Sequence, residues 1–296
     1  MGRYTLQASN QSKNLFNVVT IPNKMPFNVL KKKKLVIGFD PRLFTEKTLK
    51  MFFYKCNCKL RAINKNLVDK IWKRKIKKRY FKFFEMPVDA VGDKYKSKIN
   101  KLLSNLKRTG ADIQFISASE NNAWLLNIRG RDTEYSPVPN CYILVDKFKN
   151  IKLFCDLKKV SSSLKDKLKK VEFLDIGGLE KVLKSIKNKK FIIDKNTCSI
   201  FFEKIILRNN KILNFHDPIY DLKAIKSKNE IKNIKLAHVH DGIAVTKYLF
   251  WLKKNFCNKK ISDIDASKKL YQFRKNNKNF KFLSFPTISG TGPNGA

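Results

Sequence analysis

The chain contains three histidines, the residue type most often used for both catalysis and metal binding. His238 and His240 are two residues apart in a stretch with a helical pattern, so they point to different sides of a helix and cannot chelate one ion together. His216 lies in the sequence FHDP, which we interpret as a turn between domains. No HExxH motif or array of paired carboxylates accompanies them. We therefore expect structural roles for all three histidines.

The six cysteines show no pattern typical of a reactive or metal-binding site. None belongs to a CxxC pair, and only Cys56 and Cys58 lie close together. On a strand both thiols would share one face, but two ligands do not make a zinc site. No GxSxG motif is present, and no cysteine is placed with a histidine. We expect reduced thiols at all six positions, which are Cys56, Cys58, Cys141, Cys155, Cys198 and Cys257.

Two further segments could contact a ligand. IRGRDTEYSP, residues 128–137, is densely polar, and both a salt-bridged loop and a binding loop remain open as interpretations. FPTISGTGPNGA, residues 285–296, is rich in glycine, but it lacks the GK[ST] ending and the following helix of a phosphate-binding loop. On residue chemistry alone, we assign no catalytic residue and no metal ligand in this chain.

The net charge of +40 is the most unusual bulk property of the sequence. Such a charge is typical of proteins that bind nucleic acids or anionic membranes. However, only 10 of the 64 basic residues are Arg, which is the residue suited to bidentate phosphate and base recognition. The most basic run, KIWKRKIKKRY at residues 70–80, is interpreted as a solvated linker. We expect no specific nucleic-acid partner.

The amino terminus and the hydropathy pattern predict neither secretion nor membrane insertion. MGRYTLQASN, residues 1–10, has no apolar core of the kind that a signal peptide needs. No apolar run reaches the roughly 18 residues of a membrane-spanning helix. We expect a cytoplasmic protein without a membrane partner.

Alternating strand and helix patterns predict an α/β fold in the middle of the chain. The helix SKINKLLSNLKRTG, residues 97–110, ends at Gly110, and its apolar residues are Ile99, Leu102, Leu103 and Leu106. CYILVD and IKLFCD are predicted to form a strand pair, and two later strands alternate with helices. A βαβ arrangement is expected near the amino terminus, where LVIGF and KLRAI flank a helical stretch. The chain length favours two or more domains.

The pattern changes after residue 225. One helix of about 28 residues is expected, with Ser227 and Glu230 spaced as a capping box, and a second helix opens with Ser262 and Asp265 in the same arrangement. A strand-like piece at KFLSFPTISG, residues 281–290, follows. Two helices and one strand cannot enclose a core, so this part is expected to be an incomplete domain.

Five segments resemble, in order, the long three-domain Xaa-Pro aminopeptidases of the creatinase-type metallopeptidases. AWLLNIRGRDTEYSPV resembles their second-domain signature, and DPIYDLKAIKSKNEIKNIKLAHVHDGIAVTKYLFWL resembles the entry helix of their pita-bread catalytic domain. The other three segments are GRYTLQA, NLVDKIW and FPTISGTGPNGA. The resemblance implies an α/β protein with part of a first creatinase-N-type domain, a complete second one and the opening helices of a pita-bread domain. The corresponding ranges are 1–72, a basic linker at 73–85, 86–217 and 218–296.

The resemblance also implies function. In the family, a pair of Mn²⁺-like ions activates water for hydrolysis of the bond before proline in Xaa-Pro peptides, and the enzymes commonly dimerise. The metal ligands belong to the part of the family sequence beyond the glycine loop, so this chain is expected to be an internal fragment that binds no metal. The Arg of the family's GRY segment contacts substrate and corresponds to Arg3. Two alternatives remain open, namely a non-catalytic oligomerisation or binding module, and a basic nucleic-acid binder.

Overall fold

The computed structural model describes residues 2–13, 15–30, 34–72, 80–258 and 260–291. The chain divides into two compact units. The larger unit is Met25–Ser227, and the smaller one combines Met1–Lys24 with Lys228–Ala296.

Strands occur only in the larger unit among the described residues. They are β1 Leu35–Phe39, β2 Cys58–Ala62, β3 Phe84–Glu85, β4 Ile113–Ile116, β5 Ile128–Arg129, β6 Cys141–Asp146, β7 Ile151–Cys155, β8 Val171–Asp175, β9 Lys190–Ile193 and β10 Lys211–Leu213.

Helices occur in both units. They are α1 Gly2–Ser12, α2 Pro26–Leu30, α3 Glu46–Phe53, α4 Leu67–Ile71, α5 Val88–Val91, α6 Tyr95–Thr109, α7 Ser119–Leu126, α8 Ser162–Lys167, α9 Leu179–Ser185, α10 Ile200–Leu207, α11 Pro218–Ala224, α12 Lys228–Asn255 and α13 Asp263–Lys275.

A mixed six-stranded sheet dominates the described part of the larger unit. Its strand order is β10-β9-β4-β6-β7-β8. Strands β10, β9 and β4 run parallel, β6 is antiparallel to both β4 and β7, and β7 and β8 are parallel. The predicted strand pair of CYILVD with IKLFCD is therefore confirmed, as is the α/β class.

Both faces of this sheet are buried, because successive side chains of a strand point to opposite sides. In β6, Ile143 and Val145 face the core beneath α6, α7, α8 and α11, whereas Leu144 faces the core beneath α9 and α10. Strand β4 lies at the centre, and all four of its residues are buried. The sheet is thus covered by helices on both sides.

The helix α6 agrees closely with the sequence pattern. Ile99, Leu102 and Leu106 are fully buried, and Gly110 ends the helix in the left-handed region with φ +65°. A residue with a Cβ is strained there, so glycine suits this position.

A parallel β1–α3–β2 arrangement precedes this sheet in the chain and forms a small core together with α10. Phe39 and Leu49 pack there with Ile200, which is the first residue of α10. The βαβ arrangement expected from LVIGF and KLRAI is confirmed. Phe84 and Glu85, which fall in the predicted linker, pair with β5 as a short antiparallel ribbon.

The smaller unit contains α1, α12 and α13. Helix α12 is 28 residues long, and the capping box of Ser262 and Asp265 at the start of α13 is present, both as expected. Among the described residues of this unit, the buried apolar side chains are those of Ala244 and Ala266. The unit therefore has little core of its own.

One expectation about regular structure is wrong, and one helix was not predicted. Residues 281–290 form no strand, because a strand needs a neighbouring edge and the described residues of this unit provide none. The run IFFEKIIL was not assigned, and it forms α10, with β10 following it. Its nearly continuous apolar character hides the helical period, which leaves buried helices and buried strands indistinguishable.

Candidate functional site

Asp217 is the centre of a buried hydrogen-bond network at the start of α11. Its Oδ1 atom accepts hydrogen bonds from Gln114 Nε2 at 2.6 Å and from the Ile219 backbone N–H at 3.0 Å. Its Oδ2 atom accepts from Asn121 Nδ2 at 2.7 Å. Burial raises the pKa of the Asp217 carboxyl, and these three donors act in the opposite direction. The network holds α11 against β4 and α7.

The sequence FHDP predicts only a turn here, and Asp217 is not among the residues expected to form a site. The signal was available in part, because Asp followed by Pro is typical of a helix N-cap with proline at the first helical position. Asp217 does cap α11 in this way. Its two amide partners come from β4 and α7, and no local pattern predicts such long-range contacts.

A second polar cluster lies at the carboxyl ends of β4 and β9. Asp194 accepts from the Asn196 backbone N–H at 2.9 Å and from Thr197 Oγ1 at 3.2 Å. The Thr197 hydroxyl is also 2.8 Å from that of Ser117. This edge of a parallel sheet is where ligands commonly bind in α/β proteins. Here its polar groups are hydrogen-bonded to one another, which favours a structural role.

The loop IRGRDTEYSP is also held by internal contacts. Arg129 Nη1 donates to the carbonyl of Ala123 at 3.0 Å, and the Arg131 guanidinium lies 4.5 Å from the centroid of the Phe81 ring. Asp132 accepts from the Asn140 backbone N–H at 2.7 Å and pairs with Lys159. The geometry favours the salt-bridged loop over the binding loop.

The histidines and cysteines occupy positions consistent with structural roles. His238 and His240 are exposed on α12, and the exposed His216 stacks on Tyr220 with ring centroids 5.4 Å apart. All six cysteines are free, and three of them are buried. Burial raises the pKa of Cys155 to about 12, which keeps this thiol protonated and poorly nucleophilic at neutral pH.

No metal centre can be built from the described part of the chain. Across its ranges, His, Cys, Asp and Glu side chains form no group of three or more that could hold an ion. These residues therefore do not fit a two-metal site. The side chain of Arg3, the residue that family resemblance links to substrate, lies outside the described part of the structure.

Across the described ranges, no helix combines the length and apolar character needed to cross a membrane. The basic run at residues 70–80 falls mostly outside the described residues, since 73–79 are not among them.

The helix-covered mixed sheet defines a known class of domain. The sequence profile of the creatinase/prolidase N-terminal domain matches residues 77–230, which is more than half of the chain. The chain belongs to this family.

Similar proteins extend the comparison over nearly the whole chain. A probable Xaa-Pro aminopeptidase P of Ajellomyces capsulatus is 32% identical over 284 residues, covering 88% of this chain and 46% of the relative. A probable Xaa-Pro aminopeptidase P of Paracoccidioides lutzii is 32% identical over 282 residues, with the same coverage of both chains. The chain spans about half the length of the curated relatives that it matches.

A solved structure has the same fold. The X-prolyl aminopeptidase of Caenorhabditis elegans, described as a cytosolic enzyme with a di-nuclear active site, superposes with a TM-score of 0.85. It is 24% identical, and the match covers 96% of this chain and 49% of that one. The α/β fold of the creatinase/prolidase type, expected from the family resemblance, is thus confirmed.

Proposed function

We propose that this chain is part of an Xaa-Pro aminopeptidase, which releases the residue preceding proline from the amino terminus of a peptide. The observation that carries the proposal is the continuous similarity to Xaa-Pro aminopeptidase P relatives over 88% of the chain at 32% identity. The matched segment is about half of each relative, and its described residues contain no group that could hold a metal ion, so the proposal assigns this chain the part outside the catalytic centre.

The proposed organisation follows the family. Residues 1–72 form part of a first creatinase-N-type domain, 73–85 a linker, 86–217 a complete second domain and 218–296 the start of the catalytic domain. The buried six-stranded sheet, whose strands lie between Ile113 and Leu213, supports the second domain as a folding unit. The many exposed apolar residues of α12, such as Ile234, Val239 and Phe250, suit a helix that the rest of a catalytic domain would cover.

Further properties are proposed for the whole protein rather than for these residues. They are a pair of divalent ions, most simply Mn²⁺, a homodimer and a cytoplasmic location. The di-nuclear centre and cytosolic location described for the Caenorhabditis elegans enzyme support the first and the last of these. Arg3 is the proposed substrate contact within this chain. Because the described residues do not fit a metal centre, the proposal places the metal ligands elsewhere in the protein.

The test begins at the gene. Sequencing across both ends of the reading frame establishes the longest continuous product, which is then expressed beside residues 1–296. We expect the long product to hydrolyse an Xaa-Pro-Pro peptide, to lose activity with a chelator and to regain it with Mn²⁺. We expect residues 1–296 alone to show no activity under the same conditions.

Two results would overturn the proposal. One is a long product that leaves Xaa-Pro peptides uncleaved although it binds two Mn²⁺ ions. The other is a reading frame that is closed on both sides, since the protein would then lack the residues that the reaction needs. In that second case a non-catalytic binding module becomes the better interpretation, and the small share of Arg among the basic residues favours it over a nucleic-acid binder.

A further inference from the structure

A pocket of about 360 Å³ lies within the larger unit, beyond the carboxyl ends of β1 and β2. Its walls come from the loops that follow these two strands and from the helices α9 and α10. Four basic side chains line it, which are Arg42, Lys184, Lys204 and Arg208. Its apolar lining includes Phe201 and Ile205. The volume is within the range of small-molecule sites.

The two acidic residues of the pocket are already occupied by hydrogen bonds and ion pairs. Glu180 is shared between Arg42, with a 3.4 Å contact, and Lys184, with a 2.7 Å contact. The Asp40 carboxylate accepts from the Arg42 backbone N–H at 2.9 Å and from Asn66 Nδ2 at 3.1 Å. The pocket therefore carries four basic and two acidic side chains, and neither carboxylate forms an ion pair with the remaining two basic side chains.

Lys204 and Arg208 are these remaining cations. They are four residues apart on and just after α10, so they lie on one side of the helix. Among the described residues, neither forms an ion pair with a carboxylate. Because Arg42 and Lys184 line the same pocket and its acidic residues are only Asp40 and Glu180, the pocket has an excess of positive charge that an anion would balance.

The pocket wall is also held in place. The Arg42 guanidinium lies 3.5 Å from the centroid of the Phe201 ring, and Glu180 orients it from the side. The Phe201 backbone N–H donates to the Pro41 carbonyl at 3.0 Å, which fixes the loop after β1 to the start of α10. A guanidinium held in this way loses little conformational entropy when an anion binds.

We propose that this pocket binds the phosphoryl group of a small phosphorylated molecule. The dianionic phosphate contacts Lys204 and Arg208, and Arg42 lies at the same site. Charge-assisted hydrogen bonds from lysine and arginine to phosphate are among the stronger polar contacts in proteins. The apolar lining accommodates the organic part of the ligand. This proposal is independent of the peptidase function, because the pocket lies within the larger unit and uses no residue assigned to peptide hydrolysis.

The experiment titrates residues 1–296 with inorganic phosphate and, separately, with phenyl phosphate at about 150 mM salt, where diffuse attraction to the charged surface is largely screened. The test variant is Lys204→Ala/Arg208→Ala, in which both changed residues are exposed. The control is Lys165→Ala/Lys169→Ala, which removes two exposed charges near α8 in the same unit. Circular dichroism verifies that each variant is folded.

We expect saturable one-site binding that is at least about tenfold weaker in the test variant and unchanged in the control, as for the loss of hydrogen bonds to a charged group. Equal affinity for the two ligands would support recognition of the phosphoryl group alone, and tighter binding of phenyl phosphate would add a role for the apolar lining. The proposal fails if neither ligand saturates a site, or if both variants weaken binding equally, because the binding would then be diffuse.

Discussion

Gln114 and Asp217 are 103 residues apart in the sequence and form a 2.6 Å hydrogen bond, although each is only 1% exposed. Gln114 belongs to the central strand β4, and Asp217 caps α11, the last helix of the larger unit. The bond therefore connects the middle of the sheet to the end of the unit. A buried carboxylate in this position is stable only while its donors remain in place.

We expect Asp217→Ala to destabilise the larger unit by about 2–5 kcal/mol. The substitution leaves the amide groups of Gln114 and Asn121 without their acceptor inside the protein, and it also removes the cap of α11. Hydrogen exchange of the β4 backbone amides measures the effect directly, since these amides exchange only when the sheet unfolds.

The matched control for this prediction is Asp221→Ala. Asp221 is in the same helix α11 but is exposed. We expect its replacement to change the free energy of unfolding by less than about 0.5 kcal/mol. Equal hydrogen-exchange protection of the β4 amides in the two variants would mean that the Asp217 network contributes little to stability.

Glu203 on α10 should give a pH dependence of stability with a definite sign. Burial raises the pKa of Glu203, nearby Glu46 adds to the effect, and Lys195 and Lys50 oppose it. A raised pKa in the folded state means that protonated Glu203 stabilises the fold, and that this contribution is lost as the pH rises through the folded-state pKa. We expect Glu203→Gln to gain stability relative to the wild type as the pH increases from about 4 to 7. Urea unfolding of both proteins across this interval tests the sign. A variant whose free energy of unfolding falls relative to that of the wild type as the pH rises would contradict the prediction.

Asp112 should show the opposite pH dependence. A hydrogen bond from Lys147 at 2.7 Å and another from the Lys190 backbone N–H at 2.9 Å lower the pKa of Asp112. Its contribution to stability is therefore present above the unfolded-state pKa near 4 and is lost as the pH falls through the folded-state pKa. We expect the free energy of unfolding of Asp112→Asn to be about 1–2 kcal/mol lower than that of the wild type at pH 7 and to approach the wild-type value in strong acid.

An exposed aspartate provides the control for Asp112. Asp166 lies on α8, and Asp166→Asn should leave the unfolding curve nearly unchanged at both pH values. If the Asp112 variant matches this control at pH 7, the contacts with Lys147 and Lys190 add no net stability.

The sequence predicted the elements that carry a clear period. The apolar spacing of α6 was visible because one face of that helix is buried. Strands β6 and β7 were visible as short, mostly apolar runs, although both of their faces are buried. Helix α10 was missed since Phe202, Ile205 and Ile206 pack into the sheet within a run that is apolar almost throughout. The strand expected at residues 281–290 does not form, because a strand depends on a partner that local sequence cannot supply.

The candidate sites were harder to predict than the fold. The network of Asp217 depends on residues about 100 positions away, and the pocket beside Lys204 and Arg208 combines two loops with two helices. Neither contains a contiguous motif. Family resemblance gave the fold class and the expected activity, whereas the contacts of individual side chains required the structure.

Gly130 tests whether the loop IRGRDTEYSP is as tightly packed as its contacts indicate. A Cβ atom on Gly130 would lie 2.8 Å from Pro139 Cα and 3.0 Å from the Val138 carbonyl oxygen, and both are backbone atoms that cannot move independently. We expect Gly130→Ala to destabilise the larger unit by about 1–3 kcal/mol, because relief of the clash must displace the backbone of Gly130 or that of Val138 and Pro139.

Gly178→Ala is the control, since no atom lies within 4 Å of its added Cβ and its backbone is right-handed helical. That variant should be neutral or stabilised by up to about 1 kcal/mol. Urea unfolding of both proteins decides the matter, and a Gly130 variant as stable as the Gly178 variant would show that the loop yields without penalty.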